Sequence, residues 1–390
     1  MIIETLKLKD FRNYEALTLT PHPGVNLLFG QNGSGKTNLL EAVHYCALGR
    51  SHRTSQDKEV VRKGAEAAAV GVVVRKADGR HDTAVKLTPN EIRKKQVFLD
   101  GKRAARLSDM MGRLQCVIFS PEDLMLVKDG PSVRRRFLDM MLSQLSTSYF
   151  VALQQYQKAM EQRNSLLRDV RKGARLDRAM LEAFEQGMAA PCDIIIRERR
   201  KMLDILSDCA TGKYEQISGR PGETFLMNYE CCLDSDDNIP ERIMQGLSQS
   251  RTEDIYRGTS GFGIHREDIG LTLMNRDMKL FASQGQIRTA ALSIKLAQLE
   301  VFKNITGESP VLLLDDVMSE LDMTRRTRLL DEISGVQTFI TCTDSSDVEG
   351  SLEKRSYQVR MTTDMVADIR GISEGEEFIN EQSDEDPDFT

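Results

Sequence analysis

The chain has 390 residues, 40% of them apolar, which is length for two to three domains and enough apolar material for a sizeable core; a wholly disordered chain is excluded. Its 53 Lys and Arg against 59 Asp and Glu leave a net charge of −6, which as a sum argues against a dedicated nucleic-acid binder. The sum hides its distribution: eight acidic residues and no Lys or Arg follow from Glu374 onward, whereas 16 Lys or Arg and eight Asp or Glu lie between Arg50 and Arg113.

Taken in chain order, residues 2–8 and 17–20 alternate apolar with polar and read as strands, and residues 25–29 form the short apolar run of a buried strand. A helix over 36–48 follows, with Leu39, Leu40, Val43 and Ala47 on one stripe. Strands are expected over 70–75, 83–87 and 96–99, with Asp100-Gly101 as a hairpin turn, and again over 117–119. From about 132 to 218 the composition turns helical and rich in Met, Leu, Gln and Arg. A strand over 225–233, a helix over 240–257 and a hairpin over 268–281 come next. The last third alternates helix 286–303, strand 311–314, helix 323–333 and strands 338–341 and 357–361, the mark of a parallel sheet with crossover helices. The expected class is therefore α/β, with one lobe built from residues 1–125 and 261–365, an inserted helical lobe over 126–260, and an acidic, flexible tail over 366–390.

Seven cysteines, an odd count with no C-x-x-C pair, supply neither a disulfide framework nor a metal knuckle, and the adjacent Cys231-Cys232 does not change that. A reducing, cytoplasmic setting fits. No apolar run approaches the ~18–20 residues of a membrane span, and Met1-Ile2-Ile3-Glu4 does not open an export signal.

Gly30-Gln31-Asn32-Gly33-Ser34-Gly35-Lys36-Thr37 matches G-x-x-x-x-G-K-[ST] directly after an apolar strand and before a helix. Glycines let backbone N–H groups curl round phosphate oxygens, the helix start adds partial positive charge, Lys36 reaches the outer phosphates, and the Thr37 hydroxyl ligates Mg²⁺. Val311 to Leu314 leads into Asp315-Asp316: the first carboxylate is placed to hold Mg²⁺ and the second to polarise an attacking water, the plainer alternative being a helix cap. Ser319 and Asp322 then form either a dimer-interface loop or a cap for the next helix. Ser283-Gln284-Gly285-Gln286 starts another helix and is either a second candidate anion site or, by itself the plainer reading, a helix cap. Two such sites suggest one nucleotide held between two chains.

Phosphate loop, Ser-x-Gly-Gln, Asp-Asp and Ser-Glu-Leu-Asp, in this order and with a helical insertion, resemble the ABC-type ATPase heads of the chromosome-maintenance (SMC) superfamily, and most closely the RecF family. The resemblance rests further on Phe11-Arg12-Asn13-Tyr14, on residues 49–54, and on the stretch from Pro121 to Asp139 that includes Arg134-Arg135-Arg136. It implies a switch of recombinational repair and replication restart, in which ATP closes a homodimer on DNA at single-strand gaps or junctions and slow, DNA-stimulated hydrolysis releases it. RecO and RecR would be its partners in loading RecA at the nucleoid. It further implies that Arg12 and Asn13 sit by the nucleotide and that Ser283, Gly285 and Gln286 reach it from the opposite subunit, Ser283 touching the γ-phosphate. Gln115 and the turn over 120–123 are candidates for the sensor glutamine's place. Thr341-Cys342-Thr343-Asp344 stands where transporters carry a switch histidine, and this motivates the slow rate. Departures are Gly263-Ile264 ahead of His265-Arg266, where the family commonly has a proline, and the acidic tail.

A transport ATPase subunit would usually carry Leu-Ser-Gly-Gly-Gln and that histidine, and neither is present. For DNA, the cationic stretch offers Arg50, Arg53, Arg93, Lys94, Lys95, Lys102 and Arg103, the last five flanking one hairpin with few aromatics among them. That pattern favours phosphate contact over stacking on bases.

Overall fold

The computed structural model describes residues 1–91, 94–220, 222–344, 354–362, 366–373 and 376–378; Arg93 and the acidic run beyond 378 lie outside them. The chain opens with β1 (Ile2–Phe11), β2 (Tyr14–Leu19), β3 (Val25–Phe29) and α1 (Lys36–Leu48), then β4 (Ala68–Lys76), β5 (Gly79–Leu87), β6 (Lys95–Leu99), β7 (Lys102–Arg103) and β8 (Cys116–Phe119). Six helices follow, α2 (Met125–Lys128), α3 (Pro131–Leu145), α4 (Thr147–Arg171), α5 (Arg178–Ala189), α6 (Cys192–Ser218) and α7 (Ile239–Arg257), with β9 (Phe225–Glu230) between the last two. Then come β10 (Asp268–Leu273), β11 (Arg276–Asp277), α8 (Met278–Phe281) and α9 (Gln284–Thr306). The end carries β12 (Val311–Asp315), α10 (Met323–Glu332), β13 (Thr338–Cys342), β14 (Lys354–Met361), β15 (Ala367–Ser373) and β16 (Glu376–Phe378).

Contacts divide the chain into two units, Met1–Asp123 with Gln298–Thr390, and Leu124–Ala297. The second boundary thus falls inside α9 and not near residue 260. The reason lies in pairing: β10 runs antiparallel to β9 from Asp268↔Glu230 to Leu273↔Phe225, and Arg134 on α3 grips Asp268 through two bonds of 2.8 and 2.7 Å. Residues 278–281, expected as the second strand of a hairpin, form α8 instead, because the Asp277 carboxylate accepts from Lys279 N at 2.7 Å and caps a helical turn.

The first unit holds two sheets. One is antiparallel in the order β2-β1-β4-β5-β6-β7; the other runs β16-β15-β14-β3-β13-β12-β8, with β14, β3, β13, β12 and β8 mutually parallel. Val25–Leu28, Val311–Leu314 and all of β13 are buried, which is why these segments read as unbroken apolar runs. Helix α1 touches strands of both sheets and is buried all round except at Thr37 and Asn38, so the single apolar stripe read from its sequence understates its burial. Gln337 stitches the sheets: Ile3 N donates to Gln337 Oε1 at 2.7 Å, and Gln337 Nε2 donates to Ile3 O and His22 O at 3.0 Å each.

Part of the tail expected from residue 366 is strand instead: β15 and β16 fall within it. β15 pairs antiparallel with β14, and Ala367, Ile369 and Gly371 are buried while Arg370 is exposed, a strand alternation that the downstream acidity obscured.

The second unit combines α3–α7 with the sheet β11-β10-β9. Its core encloses two arginines. Arg163 donates to Glu185 Oε1 (3.0 Å), Asp254 Oδ2 (2.7 Å) and Ser260 Oγ (2.8 Å); Arg199 donates to Asp139 Oδ1 (2.8 Å) and Glu267 Oε2 (2.7 Å). Among the described residues no helix is long and apolar enough to cross a membrane. Because Arg163 and Asp254 are essentially inaccessible to water, Arg163→Met strips the buried Asp254 carboxylate of its guanidinium partner, while Glu185 keeps Arg251 at 2.5 Å. It is expected to cost about 3–5 kcal/mol in denaturant unfolding; a loss below about 1 kcal/mol, the range of an exposed pair, would contradict this account.

Candidate nucleotide site

The parallel sheet brings the distant motifs into one row. Asp315 on β12 is aligned with Thr341 on β13, and Thr341 with Leu28 on β3, so Asp315 sits two strand spacings, about 10 Å, from the strand that feeds the loop at Gly30. All three strands are parallel, so the loop and the acidic pair emerge at the same carboxyl edge.

Within the loop, Gly30 has φ 147°, Gly33 φ 81° and Gly35 φ 113°, values that L side chains rarely adopt. A Cβ on Gly30 would stand 2.2 Å from Val359 O, so the loop lies directly against β14. Gly35 starts α1 with no side-chain cap and no acidic residue in the first turn, leaving the helix N-terminus open to an anion. Ser34 Oγ is buried and has no hydrogen-bond partner, a polar atom for which a phosphoryl oxygen would be a fitting acceptor. Lys36 Nζ donates to Gly30 O (2.6 Å) and Gln31 O (2.9 Å), drawing the ammonium across the loop; burial lowers its pKa, against the carboxylates Asp316 and Asp315, which raise it.

Thr37 Oγ1 donates to Asp315 Oδ1 at 2.8 Å, and Thr341 Oγ1 donates to the same oxygen at 2.8 Å. A hydroxyl and a carboxylate side by side are the oxygen donors a hard divalent cation takes. Asp316 N in turn donates to Thr341 Oγ1 at 2.9 Å, and Asp316 adopts φ 53° with its side chain exposed. This left-handed turn separates the adjacent carboxylates, one facing Thr37 and the other solvent.

Asn13 Nδ2 donates to Ser34 O at 3.3 Å, Asn38 Nδ2 donates to Asn13 Oδ1 at 2.8 Å, and Tyr14 OH donates to Gly35 O at 3.2 Å, so the β1–β2 turn buttresses the loop. Arg12, expected beside the nucleotide with Asn13, is otherwise engaged. Its Nε and NH2 donate to Glu41 at 2.8 and 2.6 Å and its NH1 to Glu59 O at 2.6 Å. Glu41 also accepts from Ser51 Oγ at 2.5 Å and pairs with Arg53 at 3.4 Å. Burial pushes the Glu41 pKa up, but bonds from Arg12 and Ser51 and the charges of Arg12 and Arg53 leave it below the ordinary carboxylate value.

Gln115 is buried just before β8, with its carbonyl accepting from Val311 N at 2.9 Å; it is at the amino edge of the sheet, while the loop leaves the carboxyl edge. Of the two sensor candidates, only the turn after Phe119 lies on the loop's side.

In the second unit Ser283 and Gln286 form a reciprocal cap: Ser283 N donates to Gln286 Oε1 (2.9 Å) and Gln286 N donates to Ser283 Oγ (3.3 Å). Ser283 and Gly285 are exposed. Accepting one bond leaves the Ser283 hydroxyl proton available to a ligand. Asp322 caps α10, accepting from Arg325 N at 3.0 Å and pairing with its guanidinium, which realises the capping alternative; Ser319 Oγ, also exposed, donates to Asp316 O at 2.9 Å.

Of the cationic candidates, Lys95 is turned inward, donating to Gly49 O (2.5 Å), pairing with Asp57 (3.1 Å) and lying 5.2 Å from the Tyr45 ring centre. Arg53 bonds Asn38 Oδ1 at 2.9 Å, and Arg50 is half-buried. Lys94, Lys102 and Arg103 are exposed, and an open cleft of about 520 Å³ runs beside the β6–β7 hairpin, lined by Lys95, Arg103 and Arg106 among others. Arg134 and Arg135 serve structure, binding Asp268 and Glu267 O. His265 does likewise: its Nε2 faces Ser260 O at 3.0 Å and so carries the proton, leaving Nδ1 to accept from Tyr156 OH at 2.7 Å. Glu41 escaped sequence reasoning, although an acid within the apolar run Leu39 to Leu48 was a usable signal; Thr341's link between the two aspartates left none.

The family described as the RecF/RecN/SMC N terminal domain matches residues 2–368. The DNA replication and repair protein RecF of Ruminiclostridium cellulolyticum is 38% identical over 361 residues, covering 91% of this chain and 96% of that protein. That of Alkaliphilus oremlandii is 40% identical over 348 residues, covering 88% and 93%. A solved structure of the recombination mediator protein RecF with ATP, of the RecFOR pathway, superposes with a TM-score of 0.84 at 34% identity, covering 95% of this chain and 98% of that one. An Smc head from Pyrococcus furiosus shares the fold at a TM-score of 0.54 and 17% identity.

Glu41 yields a pH test. Its folded pKa is depressed, so its stabilisation is complete above the unfolded value, about 4.3, and is lost as pH falls through the folded value. Glu41→Gln is expected to cost about 1.5–3 kcal/mol at neutral pH, and denaturant midpoints of mutant and wild type should draw together as pH falls below the ordinary carboxylate value. A gap independent of pH would contradict it.

Proposed function

The chain belongs to the RecF family of SMC-like, ABC-type ATPases, and from that membership we propose that it is an ATP-gated DNA clamp of recombinational repair and replication restart. Two chains close around nucleotide, each phosphate loop meeting the Ser283 cap of the other subunit. The observation that carries this reading is the pairing of a phosphate loop complete down to the Thr37–Asp315 contact with an exposed hydroxyl at a second helix start.

The residues divide the work. Loop N–H groups, Ser34 and Lys36 hold the β/γ-phosphates; Thr37 and Asp315 hold Mg²⁺, which when bound neutralises phosphate charge and orients the transferring group. Asp316, exposed and tied through its N–H to Thr341, orients the attacking water. Thr341-Cys342-Thr343-Asp344 stands at the place of a switch histidine, which supports slow hydrolysis acting as a timer that DNA accelerates. Ser319, exposed beside Asp316, faces the partner, while Asp322 holds the start of α10 behind it. Lys94, Lys102 and Arg103 meet the phosphate backbone, with Arg50 and Arg53 nearer the α1 end. RecO and RecR then use the clamped state to load RecA at single-strand gaps.

Sizing chromatography with and without ATP tests the clamp. Lys36→Met should abolish ATP binding and dimer together; Asp316→Asn should bind ATP and remain dimeric; Ser283→Arg should bind ATP yet stay monomeric. Equal dimer yields for Ser283→Arg and wild type would overturn the shared site. For DNA, the double substitution Lys102→Glu with Arg103→Glu should weaken binding and flatten its salt dependence by about two phosphate contacts. An unchanged salt slope would remove the hairpin from the interface.

A further inference from the structure

Cys231 and Cys232 close the end of β9, and Glu267 stands just before β10, so the antiparallel pairing of these strands brings residues 35 apart in sequence together. Their ligand atoms, two sulfurs and a carboxylate oxygen, all lie within 4.8 Å of one another. Glu267 Oε1 accepts from Cys231 Sγ (3.2 Å), Cys232 Sγ (3.2 Å) and Cys232 N (3.3 Å). We propose that Cys231, Cys232 and Glu267 form a binding site for one thiophilic divalent cation of the Zn²⁺ class.

Three features favour a ligand set over a chance cluster. Glu267 is 3% exposed, and its other oxygen is fixed by Arg199 at 2.7 Å and by Tyr229 OH, which leaves Oε1 aimed at the sulfurs. Such outer bonds orient a metal-binding carboxylate. Leu233 N donates to Cys231 Sγ at 3.4 Å, a contact that suits a thiolate. Both cysteines are half-buried, so the sulfurs are pre-placed yet reachable from solvent.

The exchange balances. One M²⁺ enters, two thiol protons leave to solvent, and two M–S bonds and one M–O bond form without oxidation or reduction. Counting Arg199, Glu267 and Asp139, the local charge is unchanged, since two thiolates and one divalent cation replace two neutral thiols. Thiolate donors select Zn²⁺ over Mg²⁺ or Ca²⁺, and a fourth position stays open to water. Bound there, the ion would tie the β9–β10 end to the Arg199 network.

The test uses the full chain, reduced with a phosphine and freed of metal. Titrated with Cd²⁺, the wild type should develop a sulfur-to-cadmium charge-transfer band that saturates at one equivalent, and Zn²⁺ should compete it away. Cys231→Ser with Cys232→Ser should lose the band and weaken Zn²⁺ affinity at least about tenfold against a chromophoric chelator. Cys209→Ser, the control at the other half-buried cysteine, should keep both. No saturating band in the wild type, or a band that survives the double substitution, would overturn the proposal; circular dichroism of each variant separates loss of ligand from loss of fold.

Discussion

The hydrogen bond from Thr37 to Asp315 joins residues 278 apart in sequence, and the site exists only because the parallel sheet makes that contact possible. β3 comes from the beginning of the chain, β12 and β13 from its end, and the whole second unit is threaded between them. Placing β13 between β3 and β12 puts Thr341 where its hydroxyl reaches Asp315 and the Asp316 amide at once. One threonine thus reaches both aspartates, and the left-handed turn at Asp316 gives them different surroundings. Everything else in the first unit, from the Gln337 stitch to the burial of α1 between sheets, holds this edge in register.

Such an arrangement is costly to assemble. Every contact of β3 with β13 or β14 closes a loop of some three hundred residues, whose entropy grows only slowly with length. A long excursion between the two halves is therefore tolerable, provided the excursion can satisfy itself. The second unit does so with its own sheet and with two arginines whose carboxylate partners come from different helices and turns. Buried ion pairs contribute little net stability compared with apolar packing, but they penalise misplacement heavily. Arg163 reads α5, α7 and the turn at Ser260, and Arg199 reads α3 and the β10 approach, so each fixes which helix lies beside which.

How much of this the sequence disclosed depended on the range of the interaction. The phosphate loop was legible because its chemistry is local: three glycines with positive φ, a lysine and a threonine within eight positions, between an apolar run and a helix. The acidic pair was legible for the same reason, as an apolar run that ends in carboxylates. Arg12 was harder, because a guanidinium at a turn can serve a nucleotide or a neighbour, and only the fold brings Glu41 within reach. Lys95 belongs with it: beside Lys94 it reads as one cationic edge, yet strand alternation turns it toward Asp57 and Tyr45. The boundary near residue 260 was misplaced because β10 carries the alternation of any half-buried strand, and nothing in that pattern names β9 as its partner.

Cysteine spacing shows the same limit from the other side. Adjacent cysteines fail every knuckle pattern, since those patterns encode ligands that one turn of backbone brings together. A ligand set drawn across an antiparallel pair leaves no fixed spacing, because the loop between the strands can take any length. Here the intervening residues include all of α7, and the third ligand becomes visible only once Asp268↔Glu230 sets the register. Glu267 is also claimed by Arg199, so the carboxylate that would hold a cation is the one that anchors a buried guanidinium. A cation at the sulfurs would share that carboxylate with Arg199, one oxygen each, and the β9–β10 end would then be tied, through Glu267, to the arginine that aligns α3 and α6.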